Sequence, residues 1–118
     1  MKLTQQNYRD WIREQYWIYG NKMEFDFLFW NMRADGWRIY IITDIDYKGK
    51  DAFSHDAHWL KDREDTYRYI CWDGKIETYE QAKAVASLWA DCTYLYINDR
   101  FNRTFDMIAI TLKLQRGL

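Results

Sequence analysis

The chain has 118 residues, with 17 Lys plus Arg against 18 Asp plus Glu, so its formal charge is −1 and no global field steers it toward nucleic acid. That length predicts one globular domain spanning 1–118, able to bury about two-thirds of its unfolded surface without disulfide staples. No apolar run approaches the ~20 residues that cross a bilayer, and the first residues lack the apolar stretch of a signal peptide, which together predict a cytoplasmic protein without a membrane partner.

In chain order, the first predicted element is a helix over residues 5–19. Thr4 stands as its N-cap, Tyr8, Trp11, Ile12, Tyr16 and Tyr19 recur every three or four residues, and Gly20 occupies the place of a left-handed C-cap. Residues 22–34 read two ways. Met23, Phe25, Phe27 and Phe29 alternate with Glu24 and Asp26 as in a strand, yet Asn21 with Glu24 resembles a capping box and Asp35-Gly36 a helix exit. The helical reading is preferred there. Trp37 to Tyr47 alternates as a strand, with Trp37, Ile39, Ile41, Thr43 and Ile45 on one face. Residues 51–64 form a polar connection with one helical turn expected around His58 to Lys61, and Thr66 to Trp72 reads as a strand closed by Asp73-Gly74.

Thr78 and Gln81 then make a capping box ahead of an apolar stripe of Ala82, Val85, Ala86 and Trp89. Two further strands are expected at Thr93–Ile97 and Phe105–Leu114, joined by residues 98–103. Strands grouped with short turns and a single clean crossover favour an α+β fold: a small, mainly antiparallel sheet of about four strands packed by two or three helices.

Seven Trp, ten Tyr and six Phe make the chain 19% aromatic, more than packing alone normally uses. Each ring can bury about 150–250 Å², so rings beyond the core's needs are candidates for an interface. Residues 43–65 carry seven acids and four bases, residues 98–118 two acids and four bases, which makes a weak dipole. Cys71 and Cys92 have no metal-ligand spacing and read as two free thiols of a reducing compartment.

Few constellations carry chemistry. His55 and His58, with Asp44 and Asp46, are the one group with zinc- or manganese-like donors, and they equally describe a solvated polar loop. Cys71 lacks a basic partner in sequence, Ser54 beside His55 lacks a nucleophile elbow, and no glycine-rich phosphate loop occurs. Aromatics interleaved with arginine are more suggestive. Tyr67 and Tyr69 share one face of their strand, Tyr94 and Tyr96 one face of theirs, and Arg100 and Arg103 flank Phe101 and Asn102. An outward row of tyrosines beside these arginines would serve as the anchor patch of a protein interface or as a stacking platform for bases, unless a second layer of the chain covers it.

The expectation is therefore a small non-catalytic protein, without cofactor, that occludes the surface of a larger protein or protein–nucleic-acid complex through Tyr67, Tyr69, Tyr94, Tyr96, Arg100, Phe101 and Arg103. In general character such short, proline-free, aromatic-rich chains are similar to accessory proteins of phages and mobile elements, including inhibitors of host defence, and to immunity proteins. That likeness is compositional and implies no family. A nucleotide or single-stranded nucleic-acid module and a metal-dependent hydrolase are the alternatives. A homo-oligomer is also expected if the apolar segment 23–32 is not covered within one chain.

Overall fold

Aromatic side chains suit a pleated, half-buried surface, and in the computed structural model, which describes residues 10–18 and 22–117, they place the N-terminal half of the chain in strands. Strands β1 (Trp11–Ile18), β2 (Met23–Asn31), β3 (Trp37–Ile41), β4 (Trp59–Leu60) and β5 (Arg68–Ile70) form one sheet in the order β1-β2-β3-β5-β4, antiparallel at every junction. A short helix, α1 (Ser54–Ala57), precedes β4, and two long helices, α2 (Tyr79–Ile97) and α3 (Phe105–Arg116), follow the sheet. The fold is α+β as expected, with five strands rather than about four.

The first two predicted helices are strands. The reading of 5–19 as helix fails over Trp11–Ile18, and Thr4, Tyr8, Tyr19 and Gly20 lie outside the described residues. The segment satisfies a helical stripe and an alternation equally well. What decides is an eight-pair ladder with β2, from Trp11 opposite Trp30 to Ile18 opposite Met23. Residues 22–34 form β2 and then a single 3-10 turn at Arg33–Asp35. Phe25, Phe27 and Phe29 are buried on one face, and Asp26 on the other pairs with Arg13 of β1 at 2.5 Å. The Asp35-Gly36 exit signal belongs to this turn, where Gly36 adopts φ +84°.

The later boundaries also shift. The strand expected over Trp37–Tyr47 ends at Ile41, that over Thr66–Trp72 is only Arg68–Ile70, and the helical turn sits at Ser54–Ala57, ahead of His58 rather than after it. Thr78 caps α2 as predicted by accepting from the Gln81 N–H at 3.0 Å, and Gln81 Oε1 in turn accepts from the Glu77 N–H at 2.9 Å. Thr93–Ile97, expected as a strand, is the last part of that helix. Ala90, Cys92, Thr93, Tyr96 and Ile97 are all buried there, so the helix has lost the polar face by which a sequence reveals its period. Phe105–Leu114, also expected as a strand, is α3. Its buried and half-buried positions, Phe105, Ile108, Ala109 and Leu112, follow helical spacing, and Thr104 caps it by accepting from the Met107 N–H.

The main core lies between the sheet and α2, with α3 packed against α2 and contributing Phe105 and Ile108 to it. Trp89 holds its centre. Its ring meets Phe25 and Phe27 edge-on at 6.0 and 6.3 Å, and its Nε1–H donates to the carbonyls of Ala57 and His58 at 3.2 Å each. A smaller cluster occupies the opposite sheet face, where Leu28, Trp30 and Tyr40 are buried among Trp11, Tyr67 and Tyr69. The segment 23–32 is thus covered within the chain, and the reason it offered for a homo-oligomer is gone.

Candidate interaction site

The expected tyrosine row is not one surface. Tyr67 and Tyr69 flank and form β5 on the face away from the helices, whereas Tyr94 and Tyr96 lie on α2 and pack against the main core. Tyr69 donates to Asp62 at 3.1 Å and lies under the Arg38 guanidinium at 4.1 Å, while Tyr40 donates to the buried Asp65 at 2.9 Å. Burial raises the phenol of Tyr69, and that of Tyr40 to about 12, so both remain neutral donors. Tyr96 is buried and donates to the carbonyl of Asp51 at 3.0 Å, and its phenol is likewise pushed up by burial. These are structural hydrogen-bonding tyrosines. The residue types of β5 are legible in the sequence, whereas Tyr94 and Tyr96, expected on a strand, lie on α2 and so on a different surface.

Arg100, Phe101 and Arg103 do come together, in the loop between α2 and α3. Asp99, buried at its base, accepts from the N–H groups of Phe101 and Arg103 at 2.9 and 2.7 Å and from Arg103 Nε at 3.0 Å. Burial opposes its charge, but those N–H groups and the guanidinium hold Asp99 below the usual carboxylate range. With the backbone fixed so, the Phe101 ring is 80% exposed.

The same device occurs on the adjoining loop. Asp51 accepts from the Phe53 N–H at 3.0 Å, and the Phe53 ring is 77% exposed. Lys50 ties the two loops, donating to the Asp99 carbonyl at 2.9 Å and to Asn102 Oδ1 at 3.1 Å. Phe53 was not selected from the sequence. The signal was available: Asp51-Ala52-Phe53 and Asp99-Arg100-Phe101 are two Asp-X-Phe triplets, and aspartate accepting from the N–H two residues on is a standard turn.

Between the loops lies a cleft of about 290 Å³ bordered by Lys50, Asp51, Asp56, Asn102, Arg103 and Asp106. A hydrogen bond between the two carboxyls lowers Asp51 and raises Asp56, so this pair keeps a proton to higher pH than a lone aspartate would. Lys50 and Arg103 give the rim positive charge. The cleft therefore presents donors and acceptors of both signs between the two loops that carry the exposed rings, a mixture suited to a protein surface.

The metal-like group is not assembled. Asp44 and Asp46 are exposed beyond the end of β3, where Asp46 accepts from the Lys48 N–H, and His55 is exposed on α1. His58 Nε2 lies 2.5 Å from Asp106 Oδ1, an ion-pair distance out of line for a hydrogen bond, and its ring stacks on Phe105 at 4.7 Å. Among the described residues no group of three or more His, Cys, Asp or Glu converges as a metal ion requires. The backbone N–H of Cys71 donates to the His58 carbonyl at 2.9 Å, and both residues border an apolar cleft of about 90 Å³ between β5, α2 and α3. Cys92 lines that cleft too, its thiol pushed up to about 12 by burial.

No family model, curated protein or solved structure matches this chain. Among the described residues no helix is long and apolar enough to cross a membrane.

Proposed function

We propose that the chain is a non-catalytic binding protein that acts by covering part of a macromolecular partner, with Phe53 and Phe101 as its anchors. The observation that carries this reading is the pairing of fixed backbone with exposed ring at both positions: each phenylalanine N–H is bound to an aspartate, and Lys50 joins the loops. Ordering a loop on binding costs free energy, and loops already ordered by their own hydrogen bonds avoid that cost. A ring that the chain leaves in water while fixing the backbone behind it is ready to enter a pocket on another molecule. Arg100, Asn102 and the cleft carboxylates then supply a polar rim. Occlusion of this kind is how a small inhibitor or immunity-type protein works, and it asks for no catalytic group.

The test is a capture experiment with the full chain immobilised against lysate of its source cells. The wild-type chain retains a stoichiometric partner. Phe53→Ala with Phe101→Ala loses it, at about 2 kcal/mol or more for each anchor removed, while stability stays within about 0.5 kcal/mol because both rings are exposed. Undiminished capture by the double variant removes this surface from consideration. A fluorescence response to oligonucleotides that weakens as salt rises would point instead to single-stranded nucleic acid bound by Arg100, Phe101 and Arg103.

A further inference from the structure

Helix α3 has two apolar faces. Phe105, Ile108, Ala109 and Leu112 pack inward. Met107, Ile110 and Leu114 are 55%, 60% and 78% exposed. At 3.6 residues per turn these three fall within about 60° of arc, so they form a continuous stripe over two turns of helix. Single exposed apolar residues are ordinary; an aligned row on one helix is the pattern of a helix–helix contact.

We infer that this stripe is the interface between two copies of the chain, their α3 helices antiparallel about a two-fold axis at Ile110. The arrangement of charge favours a second copy over any other occupant. Asp106 and Lys113 flank the stripe on the same side, and with Ile110 they border one cleft. Asp106 stands four residues before Ile110 and Lys113 three after it. A two-fold axis through Ile110 reverses the helix while keeping that side in register. It brings Asp106 of each copy beside Lys113 of the other, Met107 beside Leu114, and Ile110 onto itself. An isologous interface must be self-complementary in this way, each contact occurring twice. The antiparallel arrangement also opposes the two helix dipoles, each positive N-terminal end lying toward the other's negative C-terminal end. Both charged groups are accessible: the Asp106 side chain is 68% exposed, and Lys113, with Nζ 5.0 Å from the Trp72 ring centre, is exposed as well.

One helix face falls below the ~1,200 Å² total of a standard-size interface, so the dimer is expected to be reversible and dependent on concentration. The loops of Phe53 and Phe101 lie off this stripe, and Ile110 and Lys113 do not border the cleft between them, so Ile110→Glu separates failure of the dimer from failure of partner capture; Asp106 borders both clefts and does not.

Sedimentation of the full chain across a concentration series tests the inference. The wild-type chain shifts from monomer to dimer as concentration rises. Ile110→Glu stays monomeric throughout, with an unchanged circular dichroism spectrum because the position is exposed. Lys113→Asp and Asp106→Lys each weaken association by about tenfold, and the two together restore it by exchanging the partners of each ion pair. That rescue distinguishes a contact between copies from any local effect of separating Asp106 from His58. A wild-type chain monomeric at every concentration, a dimer indifferent to Ile110→Glu, or additive losses in the double charge variant would each overturn it.

Discussion

A β-carbon added at Gly36 would stand 2.5 Å from the carbonyl oxygen of Ile76 and 2.9 Å from Lys75 Cγ. The backbone cannot retreat easily, because the Trp37 N–H donates to that same carbonyl at 2.9 Å and the Met32 N–H to the Gly36 carbonyl at 2.8 Å. Gly49 has the same backbone sign, φ +85°, with nothing within 4 Å. Gly36, at φ +84° and ψ −154°, adds to the collision a backbone conformation open essentially only to glycine, whereas Gly49 meets strain without collision. Gly49→Ala is expected to cost about 1 kcal/mol, the strain of a left-handed residue alone, and Gly36→Ala at least about 2 kcal/mol more, for that conformation and a clash against backbone. Denaturant unfolding of both variants measures the difference, and equal losses would mean that the Ile76 segment yields. At this scale the sequence was informative about punctuation, since Asp35-Gly36 marked a turn. It was silent about the Ile76 carbonyl, which reaches Gly36 from forty residues downstream.

At the scale of elements, what was legible depended on whether an element carries a local signal or is decided by its neighbours. The start of α2 was readable because Thr78 and Gln81 are capping residues in their own right. Thr78→Ala removes the acceptor of the Gln81 N–H and is expected to lower stability by about 1 kcal/mol. Thermal unfolding checks this, with Thr78→Ser as the control that retains the acceptor. An unchanged midpoint for the alanine variant would mean that tertiary packing alone fixes where the helix begins. By contrast β1 has no exclusive signal, because its aromatic spacing fits a helix and its alternation fits a strand. The choice is made by β2, whose three buried phenylalanines need a flanking strand as well as α2 above them. The end of α2 failed for the converse reason, being buried or half-buried on every side. Helix α3 was misread because Phe105, Met107 and Ala109 also alternate, while its packing uses Phe105, Ile108 and Leu112. The candidate site inherited these errors: the Phe101 loop was found from its local composition, and the tyrosine row dissolved once half of it moved onto a helix.

At the scale of the whole molecule, the question is whether sheet, α2 and α3 open together. Asp91 argues that they do. This buried carboxylate on α2 accepts from Tyr16 of β1 at 3.2 Å and pairs with Arg116 at the end of α3, so one residue links all three layers. The two cysteines report on this coupling. Cys71 is exposed, whereas Cys92 lies inside α2 at 1% exposure with its thiol pushed up to about 12 by burial. The thiolate is the reactive species. At pH 8 Cys71 is expected to alkylate quickly and Cys92 only when α2 becomes accessible, and Cys71→Ser should leave the slow phase alone. If the layers are cooperative, the free energy of opening taken from that slow phase equals the global unfolding free energy and falls with denaturant along the same slope. A slow phase that ignores denaturant would mean instead that α3 lifts from α2 while the sheet stays folded. In that event Asp91 joins the layers in the folded state without making them unfold as one.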